Sequence, residues 1–505
     1  MRLPRAPALP SLRFMAGKRA ASEGEFVDVL IVGAGISGID AAYHLQRRCP
    51  TKSFAILEAR AAIGGTWDLF RYPGIRSDSD MYTLGFPFHP WAGDKAIVEG
   101  TDIRAYVEET ARTFGIDRHI RFGQRVVGAS WSSAAARWTV EVEVGGERRG
   151  LTCGFLFLCS GYYDYEAGYR PQWPGEGDFG GRIVHPQHWP ADLDHAGKRV
   201  VVIGSGATAV TLVPALAATA AHVTMLQRSP SYIVSRPSRD GIARRLQLWL
   251  PRRLADRLTR WKNVLLGMLF FNRARHAPDR VRALLFKLAA DQLPAGYDVA
   301  RDFSPTYNPW DQRVCLVPDG DLFRAINAGS VSIATDRIDR FTDTGVRLES
   351  GDEIPADIVV TATGLVMKLF GGIAVEVDGA PVTVAERVVY KGMMLNDVPN
   401  LALSFGYTNA SWTLKCDLTS RYVCRLLNHM DRHGLAVCVP RLPAGGVTRR
   451  AMLDFSSGYV ARAGGMLPSQ GDRAPWRVPQ NYFADLATLG AGTVTDAAME
   501  FRKAG

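Results

Sequence analysis

The chain has 505 residues, 47% of them hydrophobic and 22% charged, with 50 Gly and 28 Pro. It is too long for one ordinary domain and too apolar to be disordered, so two or three packed units are expected. The formal charge of +10 is local: residues 236–287 hold fourteen Lys or Arg against three acids, and the rest is near neutral. Basicity confined to one segment gives no ground for nucleic-acid binding. The seven cysteines form no CxxC pair, which argues against a secreted disulfide scaffold or a dithiol centre and for the reducing cytoplasm. The histidines show no metal-ligand spacing, so no metal is expected. The apolar runs fall short of the roughly 20 residues of a membrane-spanning helix.

Residues 1–25 carry five Lys or Arg and read as a disordered N-terminal extension, although an Arg-rich, acid-poor opening also fits a transit peptide. From Val27 to Val32 runs a β-branched stretch, the pattern of a strand buried on both faces of a parallel sheet. It leads straight into Gly33-Ala34-Gly35-Ile36-Ser37-Gly38, and apolar residues then recur at helical spacing until Pro50. A second strand, Phe54 to Leu57, ends at Glu58, twenty residues beyond Gly38. In such a unit Gly33 makes the turn, Gly35 lets a pyrophosphate reach the backbone, and Gly38 lets helix and strand pack closely. Glu58 can accept hydrogen bonds from a ribose.

The same grammar returns at Val200–Ile203, which feeds Gly204-Ser205-Gly206-Ala207-Thr208-Ala209, a helix, and a strand from His222 to Leu226. Here the strand ends in Gln227, Arg228 and Ser229 instead of an acid. An acid would repel a 2′-phosphate, whereas Arg228 and the Ser229 hydroxyl can bind one, so this half selects NADPH. Two dinucleotide loops in one chain pair a held flavin, FAD, with an exchangeable NADPH. The predicted fold is therefore α/β, with two Rossmann-like dinucleotide-binding domains and a helical insert in the NADP domain. The FAD domain takes 26–160 and, with the C-terminal region, 356–505. The NADP domain takes 161–235 and 306–355, and the basic helical insert takes 236–305. In that insert, residues 263–271 are mostly apolar between basic flanks. Two readings compete for it: a roof over the active site, and a peripheral membrane contact through 236–290.

Between the two loops lie Phe179, Gly181, His185, Trp189 and Pro190, spaced as FxGxxxHxxxWP. The chain here resembles the type I Baeyer–Villiger flavin monooxygenases. Gly64-Gly65-Thr66-Trp67, Arg71-Tyr72-Pro73-Gly74, Thr361–Gly364, Tyr307–Arg313 and Ser404–Trp412 extend the likeness, the last two resembling the ethionamide-activating branch. That resemblance implies a flavin reduced by NADPH, a peroxide at the flavin C4a, and oxygen insertion into a ketone to give an ester or lactone. Thioethers and thioamides are implied as further substrates. Arg313 corresponds to the family's active-site cation and Asp78 to its acidic partner. Gly64, Gly65, Thr66 and Trp67 correspond to the loop along the flavin. His185 and Trp189 belong to the interdomain linker, His185 as a hinge element rather than a base. Gln312 stands where relatives often carry a Lys for the 2′-phosphate, which leaves Arg228 more of that task. Substrate-pocket residues are expected from Tyr407–Trp412 and from the basic insert. A dedicated N- or S-oxygenase, a flavoprotein reductase and a non-catalytic nucleotide sensor remain as alternatives.

Overall fold

A computed structural model describes residues 25–453 and 457–504, and the expectation for residues 1–24 lies outside them. Strand β1 (Phe26–Val32) runs parallel to β2 (Phe54–Leu57) on one side and β3 (Glu147–Leu158) on the other. Val29, Leu30 and Ile31 are wholly enclosed, as a strand covered on both faces requires. Behind β1 the chain turns into helix α1 (Ile36–Arg48). These strands lie in a sheet of nine among the described residues, extended through an antiparallel stretch (Gln124–Ser132 and Arg137–Val144) to Ala374–Val377.

The second half is a five-stranded parallel sheet. Its strands are β5 (Arg182–Val184), β6 (Arg199–Ile203), β7 (His222–Gln227), β8 (Val331–Thr335) and β9 (Ile358–Thr361), in the order β8-β7-β6-β9-β5. Helix α2 (Ala207–Leu216) follows β6. One predicted boundary shifts. The FAD part was expected to resume at 356, yet Ile358–Thr361 is an interior strand of the second sheet, hydrogen-bonded to both β6 and β5. The chain crosses back only after Thr361.

Both crossings between the halves are visible. The outgoing passage is β4 (Tyr163–Gly168) and the returning one is β10 (Leu365–Met367), and the two pair antiparallel as a ribbon. The insert leaves and re-enters the second half through two parallel strands, Ile233–Arg236 and Cys315–Pro318. Between them stand α3 (Gly241–Trp249), α4 (Arg252–His276) and α5 (Pro278–Ala290), so the insert is helical.

Helix α6 (Trp412–His433) packs along α1 and closes the first half. Their seam holds a buried polar cluster. His44 Nε2 lies 2.9 Å from Asp417 Oδ1 and 3.8 Å from Asp40 Oδ1, and neither Asp40 oxygen has a hydrogen-bond partner among the described residues. The three could converge on a metal ion. Arg48 on His44 and Arg421 on Asp417 already supply positive charge there, so the cluster reads as a buried structural knot between the two helices.

Burial raises the Asp40 carboxyl to about 7, with Asp417 adding to the effect and His44 opposing it. The folded chain therefore keeps a proton on Asp40 between its unfolded range near 4 and about 7. Stability linked to this group falls as pH rises through that window, and above it the full burial cost remains. Asp40→Asn should raise the thermal midpoint at pH 8 by about 2 °C or more, the gain shrinking toward pH 4. Melting curves across that range check the sign.

Candidate active site

A cavity of about 640 Å3 lies between the first Gly loop and the opening turns of α2. From the first half its wall takes Gly33, Gly35, Glu58, Gly64, Gly65, Thr66 and Trp67, and from the second Thr208 and Arg313. Gly35 caps α1 without any side-chain hydrogen bond, and Gly206 does the same for α2. Each helix thus opens with unpaired N–H groups and the positive end of its dipole, the arrangement that receives a phosphate. A Cβ on Gly206 would meet nothing within 4 Å, so the space before α2 is open. A Cβ on Gly38 would lie 1.9 Å from the Gly33 carbonyl oxygen, and this position is about helix–strand packing.

The first loop is clamped from outside. Gly64 N–H donates to the Ala34 carbonyl (3.2 Å), which brings the Gly65 turn against Gly35. Beneath that turn Asp68, 2% exposed, receives Arg60, Arg71 and Arg104. Burial alone would raise the Asp68 carboxyl, but the arginines prevail and hold it below its ordinary range. Glu58 accepts from the N–H groups of Ala34 and Arg60, both at 2.8 Å. Burial nevertheless pushes its carboxyl up, and the acid is fixed at the end of β2 beside the glycines, within reach of a ribose.

Arg313 Nη1 donates to Asp78 Oδ2 at 2.6 Å across 235 residues of sequence. The Arg313 side chain is about a third exposed, and that exposed part faces the cavity. Asp78 drives its pKa up, so the cation is permanent. The loop that carries Arg313 is held by the insert: Arg282 on α5 donates to Asn308 (2.7 Å) and Arg275 on α4 to Asp311 (2.8 Å). On the opposite side Arg76 forms a two-pronged pair with Asp321, tying the Asp78 loop to the second half.

The other predicted residues fall outside the cavity wall. Gly38, Gly204 and Gly206 sit behind it, and Arg228 and Ser229 are exposed at the end of β7. The Ser205 hydroxyl donates to the Ser229 carbonyl (2.9 Å), which keeps that strand end beside the second Gly loop. Gln227 is turned into the core, its Nε2 donating to the Asp302 carbonyl and to Thr335, so it is not available to a ribose. The linker motif also stays out of the wall. Phe179 packs on Phe341, a Cβ on Gly181 would strike the Asp357 carbonyl at 2.3 Å, and the His185 ring fills the space above Gly168. Burial lowers the His185 pKa, which suits a neutral hinge residue.

Two corrections concern the wall itself. The insert, expected to supply pocket residues, supplies none: residues 236–305 stand one layer back, where Val264 and Met268 of α4 pack on Tyr407 and Leu414. Tyr407, Ala410 and Trp412 do line the cavity, as expected. Sequence reasoning missed Tyr162, Tyr163, Tyr165 and Lys368. Tyr162 stacks on Phe405, and its hydroxyl lies 3.1 Å from that of Tyr163. Enclosure pushes the Tyr165 hydroxyl up to about 12. For the tyrosines the one sequence signal is the Tyr162-Tyr163-Asp164-Tyr165 run, separated from the end of β3 by three residues.

Comparison with known proteins agrees with this geometry. The flavin-binding monooxygenase-like family matches residues 76–428, and an NAD(P)-binding Rossmann-like domain matches residues 31–94. The chain belongs to the flavin-binding monooxygenase-like family. The FAD-containing monooxygenase EthA of Mycobacterium tuberculosis is 58% identical over 95% of this chain and 98% of its own. The probable FAD-binding monooxygenase AlmA of an Acinetobacter species is 46% identical over 95% and 97%. In fold the chain resembles a steroid monooxygenase solved with NADP, with TM-score 0.73, 22% identity and coverage of 95% and 100%. It also resembles an open form of cyclohexanone monooxygenase, with TM-score 0.72, 20% identity and the same coverage.

Within this flavin monooxygenase the two glycine positions should separate cleanly. Gly38→Ala forces α1 off β1 and should lower both the thermal midpoint and the flavin content of the purified protein. Gly206→Ala should fold with an unchanged midpoint, yet weaken dinucleotide binding about tenfold, because the new methyl occupies the approach to α2. Flavin absorbance, melting curves and a dinucleotide titration read the difference.

Proposed function

We propose that the chain uses NADPH and O2 to insert one oxygen atom beside the carbonyl of a ketone, giving an ester or lactone, with S-oxygenation of thioethers and thioamides as a second outcome. One oxygen atom enters the substrate and the other leaves as water, with NADPH supplying the electrons. The observation that carries this reading is Arg313, a permanent cation locked to Asp78 at 2.6 Å in a cavity that also meets the first Gly loop and α2. The 58% identity to EthA supports the flavin and oxygen chemistry. The Trp189-Pro190 ending of the linker motif favours ketones over a dedicated N- or S-oxygenase.

In this reading Gly33, Gly35 and the start of α1 receive the FAD pyrophosphate, and Glu58 takes the ribose. Gly65, Thr66 and Trp67 lie along the ring system, with Gly38 keeping α1 in place. When bound, the flavin takes up a hydride from NADPH and activates O2. Arg313 presents a fixed charge where negative charge develops on the transferred oxygen and requires no reorganisation at that moment. Asp78 aims the guanidinium. Gly204, Gly206 and Thr208 receive the NADPH pyrophosphate, and Arg228 with Ser229 takes the 2′-phosphate. The enclosing tyrosines exclude water from the cavity. The partners are then a small ketone or sulfur compound and O2, with no nucleic acid. Seven free, buried thiols among the described residues support a cytoplasmic setting.

Purified protein supplied with NADPH, O2 and a panel of ketones and thioethers should form ester in step with NADPH consumption. Sulfoxide without ester, or peroxide release alone, would point to the oxygenase or reductase alternatives. Arg313→Ala should retain flavin absorbance and lose product formation by about 100-fold or more; undiminished ester would mean that another group supplies the charge. Arg228→Ala should raise the KM for NADPH about tenfold and leave that for NADH unchanged, which steady-state kinetics with both cofactors tests.

A further inference from the structure

The outer face of the insert has no partner among the described residues and lines no part of the cavity wall. Of the fifteen large hydrophobic residues exposed among the described residues, eleven lie between Ile242 and Leu288. Leu248 and Trp249, at the tip where α3 ends, are 76% and 85% exposed. On α4, Leu254, Leu258, Leu265 and Leu269 recur at intervals of four and seven and are all exposed, so they form one stripe along the helix. The side of α4 turned away from that stripe holds the buried Asp256, Thr259 and Ala274, and the flank beside the stripe holds the buried Val264 and Met268, which pack on Tyr407 and Leu414. Inward packing is thus already satisfied by other residues of the same helix.

The stripe is set among cations. Among the described residues the ion pairs of the insert engage Arg252, Lys262, Arg275, Arg282 and Lys287, and the exposed Arg244, Arg245, Arg253, Arg257, Arg273 and Arg280 stand outside them. The charge excess of residues 236–287 is therefore largely unneutralised at this surface. Apolar residues with a Trp at the tip and unpaired arginines between them match the two demands of a headgroup layer: side chains that enter the acyl boundary and cations that meet anionic lipid. A second copy of the chain would bring two faces of like charge together, which opposes self-association. No helix among the described residues is long and apolar enough to cross a membrane, so the contact lies in the plane of the surface.

We propose that the helical insert docks on an anionic lipid bilayer, seating Leu248, Trp249 and the outward leucines of α4 among the headgroups. The docking is independent of turnover and of which compound the enzyme oxidises. Because α4 carries the docking stripe on one face and the packing against Tyr407 on the flank beside it, the docked enzyme holds its cavity within one helix of the lipid.

Sedimentation of the flavin-loaded protein with vesicles tests this. The vesicles are phosphatidylcholine alone, or phosphatidylcholine with phosphatidylglycerol, at low and high salt. The expected result is co-sedimentation with the anionic vesicles at low salt, released by salt. Leu248→Ser with Trp249→Ser should lower the apparent partition about tenfold or more, with flavin content and melting point unchanged, since both side chains are in solvent. No sedimentation, equal sedimentation with the neutral vesicles, or binding indifferent to the double substitution would each overturn the proposal. So would a concentration-dependent dimer, seen by analytical ultracentrifugation without lipid, that the double substitution abolishes.

Discussion

The cleft depends on one ion pair. Asp78 belongs to the first half and Arg313 to the loop that returns from the insert, and they meet at 2.6 Å. Both side chains are partly withdrawn from water, which costs solvation that the pair recovers only in good geometry, so both must be aimed from outside. The aim comes from Arg282 and Arg275, which hold the Arg313 loop through Asn308 and Asp311, and from Arg76 on Asp321 behind the Asp78 loop. The insert therefore acts at a distance. It contributes no wall residue, yet two of its helices set where the charge stands.

Around that pair the chain keeps side chains away from the places a cofactor must reach. The two helices open at Gly35 and Gly206 with bare backbone, and the Gly64 turn is hydrogen-bonded against the first loop. Asp68 with its three arginines and Glu58 with its two N–H donors stiffen the same corner. Such preorganisation costs stability in buried charge and returns it as a site that need not rearrange when a ligand arrives.

Much of this was legible in the sequence, because the evidence was local. A Gly loop between a β-branched strand and a helix is read from about thirty consecutive residues, and both dinucleotide units sit where that pattern put them. Arg313 and Asp78 were reached by resemblance, since nothing local connects residues so far apart. What escaped was tertiary. Val359 and Val360 look like any buried strand, and only hydrogen bonding to β6 and β5 assigns them to the second sheet. Gln227 points inward by strand parity, which a one-residue difference at the strand end would reverse. Tyr162, Tyr163 and Lys368 become neighbours only because the outgoing and returning crossings lie side by side.

The linker motif gains its physical meaning there as well. The short turn at Pro186–His188 is tied to the outgoing crossing, with Gln187 donating to the Asp164 carbonyl and His188 bonded to that of Glu166. The His185 ring rests on Gly168 where any side chain would collide. Since β4 and β10 are hydrogen-bonded to each other, the two halves are joined by a narrow strip and not by two loose threads. A strip bends readily across its flat face and resists shear within its plane. The strip therefore fixes the lateral alignment of the two sheets, and the Arg76–Asp321 and Arg313–Asp78 pairs hold the halves together across the cleft at a distance from it.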